Sequence, residues 1–168
     1  EIGNIQKTVD SYAKKYDTKI PIAVAGGIDT PQKVKHVLNL GVQAVQVGTR
    51  FVTTEECDAD IRYKQAYIKA CKEDIVIVKS PVGMPGRAIK NTMLESVLRG
   101  ENIPPRKCYH CLAKCDPGKI PYCITKALIE AAKGNTEEGL LFCGANAYRA
   151  EKIETVKEVI ANLMQECV

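Results

Sequence analysis

Two short apolar runs, each ending in a glycine turn, constrain the fold of this chain more than any other feature. They lie in IPIAVAGGIDTPQKVKHVLNLGVQAVQVGTRF, residues 20–51, where AGG follows the first run and GTR follows the second. Between them, Thr30 and Pro31 form a strong helix start, and Gly41 is suited to end that helix. Apolar runs without polar alternation are typical of parallel strands covered on both faces. The stretch therefore predicts two neighbouring parallel strands joined by a helix.

The rest of the chain extends this pattern and then departs from it. The two strands are predicted over residues 19–25 and 42–47, and residues 75–79 form a β-like run before a loop rich in glycine and proline. Residues 101–118 are predicted to be a loop rich in proline and cysteine. Apolar periodicity predicts further helices over residues 4–16, 58–72, 92–98, 124–133 and 151–166.

Composition and charge exclude several classes of function. The 168 residues are enough for one domain with its own core, and 24 basic and 20 acidic residues are interspersed without a basic stripe for nucleic acid. No apolar run approaches the roughly 18 residues that span a bilayer, and the opening EIGNIQKTVD lacks a signal-peptide pattern. We therefore expect a cytoplasmic protein that binds neither nucleic acid nor membrane.

The paired glycine turns predict a phosphate-binding site. Parallel strands deliver their carboxyl ends to one edge of a sheet, where ligands of α/β proteins bind. Glycines allow backbone N–H groups to approach a phosphate, and a following helix N-terminus favours negative charge. The expected donors are Gly26, Gly27, Gly48 and Thr49, with a further bond from the Thr49 hydroxyl. The alternative is two ordinary strand-to-helix turns, since neither is a Rossmann or Walker motif.

The same stretch resembles the strand 7 to strand 8 segment of the nitronate monooxygenase family, once called 2-nitropropane dioxygenases, which includes flavin-dependent enoyl-ACP reductases. The later segments SPVGMPGRAIKN and PYCITKALIEAAKGNTEEGLLFCGANAYR resemble the longer, cysteine-bearing bacterial members. The resemblance implies an α/β protein of the TIM-type (β/α)8 barrel class that binds FMN noncovalently. It implies that the AGG and GTR turns hold the FMN phosphate.

The resemblance also implies further residues of the FMN site. Ala25 and Gln46 would lie beside the phosphate, and Gly144 and Asn146, in GANAYR, would approach the flavin ring. Arg87 would lie in a flexible loop beside the active site, although a solvated loop arginine is the alternative.

Two activities occur in this family. The monooxygenase type oxidises alkyl nitronates with O2 to a carbonyl compound and nitrite. The reductase type passes hydride from a nicotinamide through FMN to an enoyl thioester. A noncatalytic phosphate-binding module is the alternative of another class.

The chain differs from the family in what precedes AGGI. Six barrel strands and a catalytic base histidine precede it in the family, whereas one short helix does here, and neither His36 nor His110 matches that histidine. The catalytic residues are therefore unknown. Residues 1–74 are interpreted as the βα units of strands 7 and 8, and residues 75–168 as a loop-rich, mostly helical, cysteine-bearing segment packing on the barrel. We expect a C-terminal half that is inactive alone and that pairs with the missing N-terminal half or self-associates.

Eight cysteines are many for this length and favour thiols or metal ligands in a reducing compartment. Cys108, Cys111, Cys115 and Cys123 have the spacing C-x2-C-x3-C-x7-C, whose first pair suits zinc or an iron–sulfur cluster. The alternatives are plain thiols or a disulfide, because the full spacing is not a standard one. His110, between these cysteines, is a ligand or only exposed, and Cys143 adjoins the GANA turn.

Overall fold

The computed structural model describes residues 1–105, 107–113 and 115–167. Within these residues the chain is α/β, as predicted, and divides into two compact units, Glu1–Gly48 with Val156–Val168, and Thr49–Thr155. In chain order the elements are α1 (Ile2–Lys15), β1 (Ala23–Ala25), α2 (Pro31–Asn39), β2 (Ala44–Gln46), α3 (Ile61–Lys69), β3 (Ile75–Lys79), β4 (Pro85–Ile89), α4 (Thr92–Leu98), α5 (Ile124–Ala132) and α6 (Val156–Met164), with 3-10 turns at Thr49–Phe51, Lys72–Asp74 and Ala147–Arg149.

The first unit contains the predicted strand–helix–strand motif. β1 and β2 pair in parallel, and α2 packs on β2 and on α6. The Thr30 hydroxyl accepts the Lys33 N–H at 3.3 Å, Pro31 is the first helical residue, and Val34 is buried beneath the helix. Local capping and one apolar stripe therefore position α2 as the sequence predicts.

Both strands are shorter than predicted. The parallel ladder runs only from Ala23 opposite Ala44 to Ala25 opposite Gln46. Before it, the side-chain oxygen of Gln43 accepts the Ile22 N–H at 2.8 Å and so replaces a backbone partner. A side chain that satisfies the backbone ends regular pairing at that residue.

The prediction that these strands are covered on both faces is wrong in the first unit as described. Ala23, Ala25, Ala44 and Gln46 are exposed, and in α1, which buries no residue, Tyr12 is 50% exposed. The physical reason is that two short strands and three helices offer too little apolar surface to cover both faces of a sheet and the stripe of α1.

The second unit contains an antiparallel hairpin, whose first strand matches the predicted β-like run and whose second strand was predicted to be a loop. β3 pairs with β4 from Ile75 opposite Ile89 to Lys79 opposite Pro85. Arg87 therefore lies on a strand, opposite Ile77, and its predicted place in a flexible loop is wrong. Glycine and proline near a strand predict a loop locally, but Pro85 lies at the strand end, where a missing N–H is tolerated.

The core of the second unit consists of two apolar clusters. Ala88 and Leu140 belong to one, and their neighbours Ile89 and Leu141 belong to the other. The Ile89 N–H donates to the Leu141 carbonyl at 3.0 Å, so two extended segments run side by side between the clusters. Alternation along an extended chain sends consecutive side chains to opposite faces, which divides the core in two.

The helix predicted over residues 151–166 begins later, at Val156. Residues before it are extended: the Glu154 N–H donates to the Thr53 carbonyl at 3.1 Å, and the Glu55 N–H donates to the Glu154 carbonyl at 2.9 Å. Tertiary pairing therefore replaces the first turn of the predicted helix. Across the described ranges, no helix combines the length and apolar character that crossing a bilayer requires.

Candidate functional site

The two glycine turns leave the paired strands at the same end. Ala25 and Gln46 are register partners, Gly26 and Gly27 follow Ala25, and Gly48 lies two residues after Gln46. Gly26 and Gly27 have φ of 97° and 69°, a left-handed conformation that L side chains rarely adopt. A Cβ built on Gly26, Gly27 or Gly48 meets no heavy atom of a non-neighbouring residue within 4 Å. Both turns therefore present bare backbone to open space, as a phosphate cradle requires.

A lysine that the sequence reasoning missed lies against the first turn. Lys33 Nζ donates to the Gly27 carbonyl at 2.9 Å and also pairs with the Asp29 carboxylate. The contact fixes the first turn of α2 to the AGG backbone and leaves the local charge nearly balanced. The i, i+4 spacing of Asp29 and Lys33 was the signal that could have revealed the pair.

In the second unit, the structure brings together two predicted site residues that are far apart in sequence. The Thr49 hydroxyl oxygen accepts the Gly144 N–H at 2.8 Å. A Cβ on Gly144 would lie 2.9 Å from that oxygen, so glycine is needed there for close approach. The Gly144 N–H thus serves Thr49, and the Thr49 hydroxyl proton is the group left to donate to a ligand.

Asn146 follows closely and precedes the 3-10 turn Ala147–Arg149, where it is half-buried. Because Ala147 is packed in the apolar core, this turn has a fixed backbone. Gly144 and Asn146 therefore lie on one short segment whose end is supported by the core.

An ion pair also fixes the Thr49–Phe51 turn. Arg50 Nη1 lies 2.8 Å from Glu154 Oε2, and the two side chains are 20% and 14% exposed. Arg50 is thus already paired with a carboxylate and does not supply an unpaired charge for a phosphate. Sequence reasoning missed this pair, because 104 residues separate its members.

A tyrosine pair supports the extended segment that leads to Gly144. The fully buried Tyr67 donates its hydroxyl to the Phe142 carbonyl at 2.5 Å, and the Tyr63 hydroxyl lies 3.1 Å from the Tyr67 hydroxyl. Burial raises the pKa of Tyr67 well above its ordinary value, so this phenol stays protonated and keeps donating.

Cys143, next to Gly144, is suited to remain a neutral thiol. Burial raises the pKa of Cys143 from 9.0 to about 11, while the nearby Arg87 guanidinium acts in the opposite direction. Because only the thiolate is a good nucleophile, the environment of Cys143 does not activate it.

We expect alkylation of Cys143 by iodoacetamide to be slow at pH 8.5 and to accelerate up to about pH 11, measured peptide by peptide with mass spectrometry. Arg87→Gln removes the charge that lowers the pKa and should move this profile to higher pH. Between pH 9 and about 11 the unfolded thiol loses its proton while the folded one keeps it, so stability should fall with rising pH in that window. Fast alkylation of Cys143 at pH 8.5 in the folded protein would contradict the assignment.

The four clustered cysteines line one pocket. Cys108, Cys111, Cys115 and Cys123 line a space of about 310 Å³, and all eight cysteines of the chain are free thiols. Burial and the neighbouring thiols raise the pKa of Cys115. Among the described residues, no three His, Cys, Asp or Glu side chains are arranged to hold a single metal ion.

Both histidines are exposed. His36 lies in the last turn of α2, and His110 lies in the cysteine loop with a left-handed φ of 51°. Neither contacts the glycine turns through a hydrogen bond recorded among the described residues, and no catalytic role is assigned to either.

Comparison with known proteins gives one family. The family profile of nitronate monooxygenase matches residues 2–166. A nitronate monooxygenase from Pseudomonas aeruginosa is 28% identical over 151 residues, which are 88% of this chain and 39% of that protein. A probable nitronate monooxygenase from Staphylococcus haemolyticus is 37% identical over 87 residues, which are 51% of this chain and 24% of that protein.

Solved structures share the fold. FabK from Thermotoga maritima superposes with a TM-score of 0.70 at 27% identity, over 89% of this chain and 44% of that chain. The enoyl reductase domain of MlnA from Bacillus amyloliquefaciens superposes with a TM-score of 0.69 at 15% identity, over 95% of this chain and 51% of that domain. The chain thus spans about half or less of the length of these relatives and structures.

Proposed function

Because the chain belongs to the nitronate monooxygenase family, we propose that it forms the FMN-binding part of an oxidoreductase that oxidises alkyl nitronates with O2 to carbonyl compounds and nitrite. The profile match over residues 2–166 confirms the family resemblance predicted from the sequence, including its relation to enoyl reductases. We propose the activity, the substrate and the partners of the whole protein on the same basis.

The observation that carries the proposal is the alignment of two glycine turns at one end of a parallel strand pair. The amides of Gly26, Gly27 and Gly48 would hold the FMN phosphate, and Thr49, the next residue, would add its N–H and hydroxyl. A ring of backbone N–H groups with no side chain in front of them fits a phosphate. When bound, FMN supplies the electron transfer, and the protein supplies binding and orientation.

The remaining predicted residues have supporting roles in the proposal. Ala25 and Gln46 end the two strands and fix the distance between the turns. Gly144 holds the Thr49 hydroxyl by its N–H, and Asn146, on the same supported segment, would face the flavin. Neither histidine matches the catalytic base of the family. The residues of the glycine turns and of the Gly144–Asn146 segment are therefore proposed to bind the cofactor and not to abstract a proton.

We also propose that β1 and β2 correspond to strands 7 and 8 of a TIM-type barrel. The support is the exposure of the sheet: parallel strands are normally covered on both faces and paired on both edges. Here Ala23 and Ala44 are exposed and the described sheet has two strands. Further barrel strands, or a second copy of the chain, would complete it. The division at residues 74 and 75 into barrel units and a packing segment stays a prediction.

A second candidate function is a flavin-dependent enoyl-ACP reductase that uses NAD(P)H. It is favoured by the superposition on FabK and on the enoyl reductase domain of MlnA. The two reactions share the FMN phosphate site and differ in the electron donor. The glycine turns therefore support both reactions equally, and the reactions must be distinguished by their electron donor.

The decisive experiment uses the whole protein purified from its natural host, together with whatever further strands or second copy complete the barrel proposed above. We expect a yellow protein with bound FMN that turns over a simple alkyl nitronate with O2 and releases nitrite without any nicotinamide. Rapid anaerobic bleaching of the flavin by NADH or NADPH, with an enoyl thioester as acceptor and no nitrite from nitronates, would assign the reductase instead. A colourless, stable protein that binds inorganic phosphate but not FMN would contradict both and favour a noncatalytic phosphate-binding module.

A further inference from the structure

Arg87 lies in the middle of a row of three residues in the second unit. β4 pairs on one side with β3, where Arg87 is opposite Ile77. On its other side β4 runs antiparallel to an extended segment, and the Cys143 N–H donates to the Arg87 carbonyl at 2.9 Å. Register partners on neighbouring strands project to the same face. Ile77, Arg87 and Cys143 therefore stand side by side, and Gly144 directly follows the last of them.

The positive charge of Arg87 is not neutralised within the part of the chain that the structure describes. There, no carboxylate forms an ion pair with Arg87, which is exposed. Arg50, Arg62 and Arg99, in contrast, each lie 2.8 or 2.9 Å from a carboxylate oxygen. Lys79, the next residue of β3 on the face of Arg87, is also exposed and adds a second positive charge. Two neighbouring cations create a positive potential that attracts an anion.

An exposed aliphatic side chain lies beside this charge. Ile77, directly opposite Arg87, is 57% exposed. One step back along the same face, Ile75 and its register partner Ile89 pack in the second core cluster. The row of Ile77, Arg87 and Cys143 is therefore where this core meets solvent. A fixed cation next to exposed aliphatic surface suits a ligand with an anionic head group and an alkyl part.

We propose that Arg87 binds the anionic head group of the substrate and that Ile77 contacts its alkyl part. The inference rests on the proposed function, because an alkyl nitronate carries its charge on two coplanar oxygens, as a carboxylate does. A planar guanidinium donates two parallel N–H bonds to such a group. The ligand class is thus a small aliphatic anion with two coplanar oxygens. Gly144, next to the row, belongs to the segment that the proposed function assigns to the flavin, so the anion would lie beside the cofactor.

The thiol of Cys143 reports on the charge of Arg87 without any turnover. Burial raises the pKa of Cys143 to about 11, and the Arg87 guanidinium acts in the opposite direction. An anion bound to Arg87 neutralises this guanidinium, so less thiolate forms and alkylation of Cys143 slows. An arginine that only contacts solvent, which is the alternative, gives no such response to a specific anion.

The binding test uses the whole protein and propionate, an unreactive aliphatic carboxylate, at constant ionic strength and at a fixed pH below about 11. Propionate should slow the alkylation of Cys143 by iodoacetamide in wild type and leave Arg87→Gln unaffected, measured peptide by peptide with mass spectrometry. Arg87→Lys keeps the charge without the two parallel donors, so propionate should slow alkylation less. Propionamide, which has nearly the same shape without the charge, should have no effect, and the exposed Cys71 reports any general effect on alkylation.

Steady-state kinetics of the whole, FMN-loaded protein test the role of Arg87 in turnover. Arg87→Gln should raise KM for ethyl nitronate by about 10- to 100-fold, the loss expected for a charge-assisted contact. The kcat should change much less, because the contact is made before and during the reaction. Arg99→Gln, which removes another exposed arginine of the second unit, is the matched control and should keep the wild-type KM. Circular dichroism and flavin content should be alike in all variants.

The two measurements separate failure of this inference from failure of the proposed function. If wild type does not turn over nitronates, but propionate protects Cys143 only where Arg87 is present, the proposed function is wrong and the anion site stands. No effect of propionate on Cys143 in wild type, equal protection in Arg87→Gln, or an unchanged KM for ethyl nitronate in that variant would each overturn the inference.

Discussion

Gly48→Asp is expected to abolish FMN binding. The substitution puts a carboxylate on the second glycine turn, where the phosphate is proposed to lie, and juxtaposed like charges cost several kcal/mol. We therefore expect Kd for FMN to rise by at least about 100-fold, measured by flavin content after purification and by titration calorimetry.

The structure separates this effect from misfolding. Gly48 is outside the left-handed region, and a Cβ there meets no heavy atom of a non-neighbouring residue within 4 Å, so the fold itself tolerates a side chain. Gly48→Ala should fold normally and lose less affinity. Gly3→Asp, on the exposed face of α1 and also with open space around its Cβ, is the charge-matched control and should bind FMN as wild type. Unchanged flavin content in Gly48→Asp would refute the phosphate site.

Asn91→Ala is expected to lower the free energy of unfolding by about 2–4 kcal/mol. The Asn91 side-chain oxygen caps α4 by accepting the Leu94 N–H at 2.9 Å. Its amide nitrogen donates to the carbonyls of Thr136 and Gly139 at 2.5 and 2.7 Å. Alanine loses the cap and leaves two half-buried carbonyls without this partner, directly beside the fully buried Leu94. Urea unfolding followed by circular dichroism gives the difference.

Asn91→Ser separates the contribution of the α4 cap to the free energy of unfolding from that of the two bonds to carbonyls. Serine keeps an oxygen that can cap α4 but is too short to reach both carbonyls, so it should recover about 1 kcal/mol of the loss. The residual loss reports the bonds to the Thr136–Gly139 segment. If the alanine and serine variants were both as stable as wild type, the cap and the two bonds would contribute nothing measurable.

Elements with strong local signals could be predicted from the sequence. α4 begins and ends at the predicted residues, Thr92 and Leu98, because Asn91 caps it and Gly100 follows it. The first turn of α2 was likewise expected, since capping depends on a few adjacent residues, whereas the left-handed φ of Gly26 and Gly27 is a finding of the structure.

Contacts between distant residues could not be predicted. The strand that carries Arg87 exists because residues 85–89 pair with β3, although glycine and proline there predict a loop. The Arg50–Glu154 ion pair joins residues 104 positions apart. Backbone hydrogen bonds of Glu154 to Thr53 and Glu55 keep the chain extended there, so α6 begins later than predicted. Such pairings are decided by packing and chain topology, which local propensity does not contain.

The candidate site shows the same division. By itself, the sequence determined the two glycine turns, their order along the chain and the family. Glycine is needed where backbone must face a ligand, and each such glycine can be identified directly in the sequence. Only the tertiary structure decided that Ala25 and Gln46 are register partners, that Gly144 donates to Thr49, and that four cysteines share one cavity. These distances arise when strands pair and loops close, so they depend on the whole fold and not on any single segment.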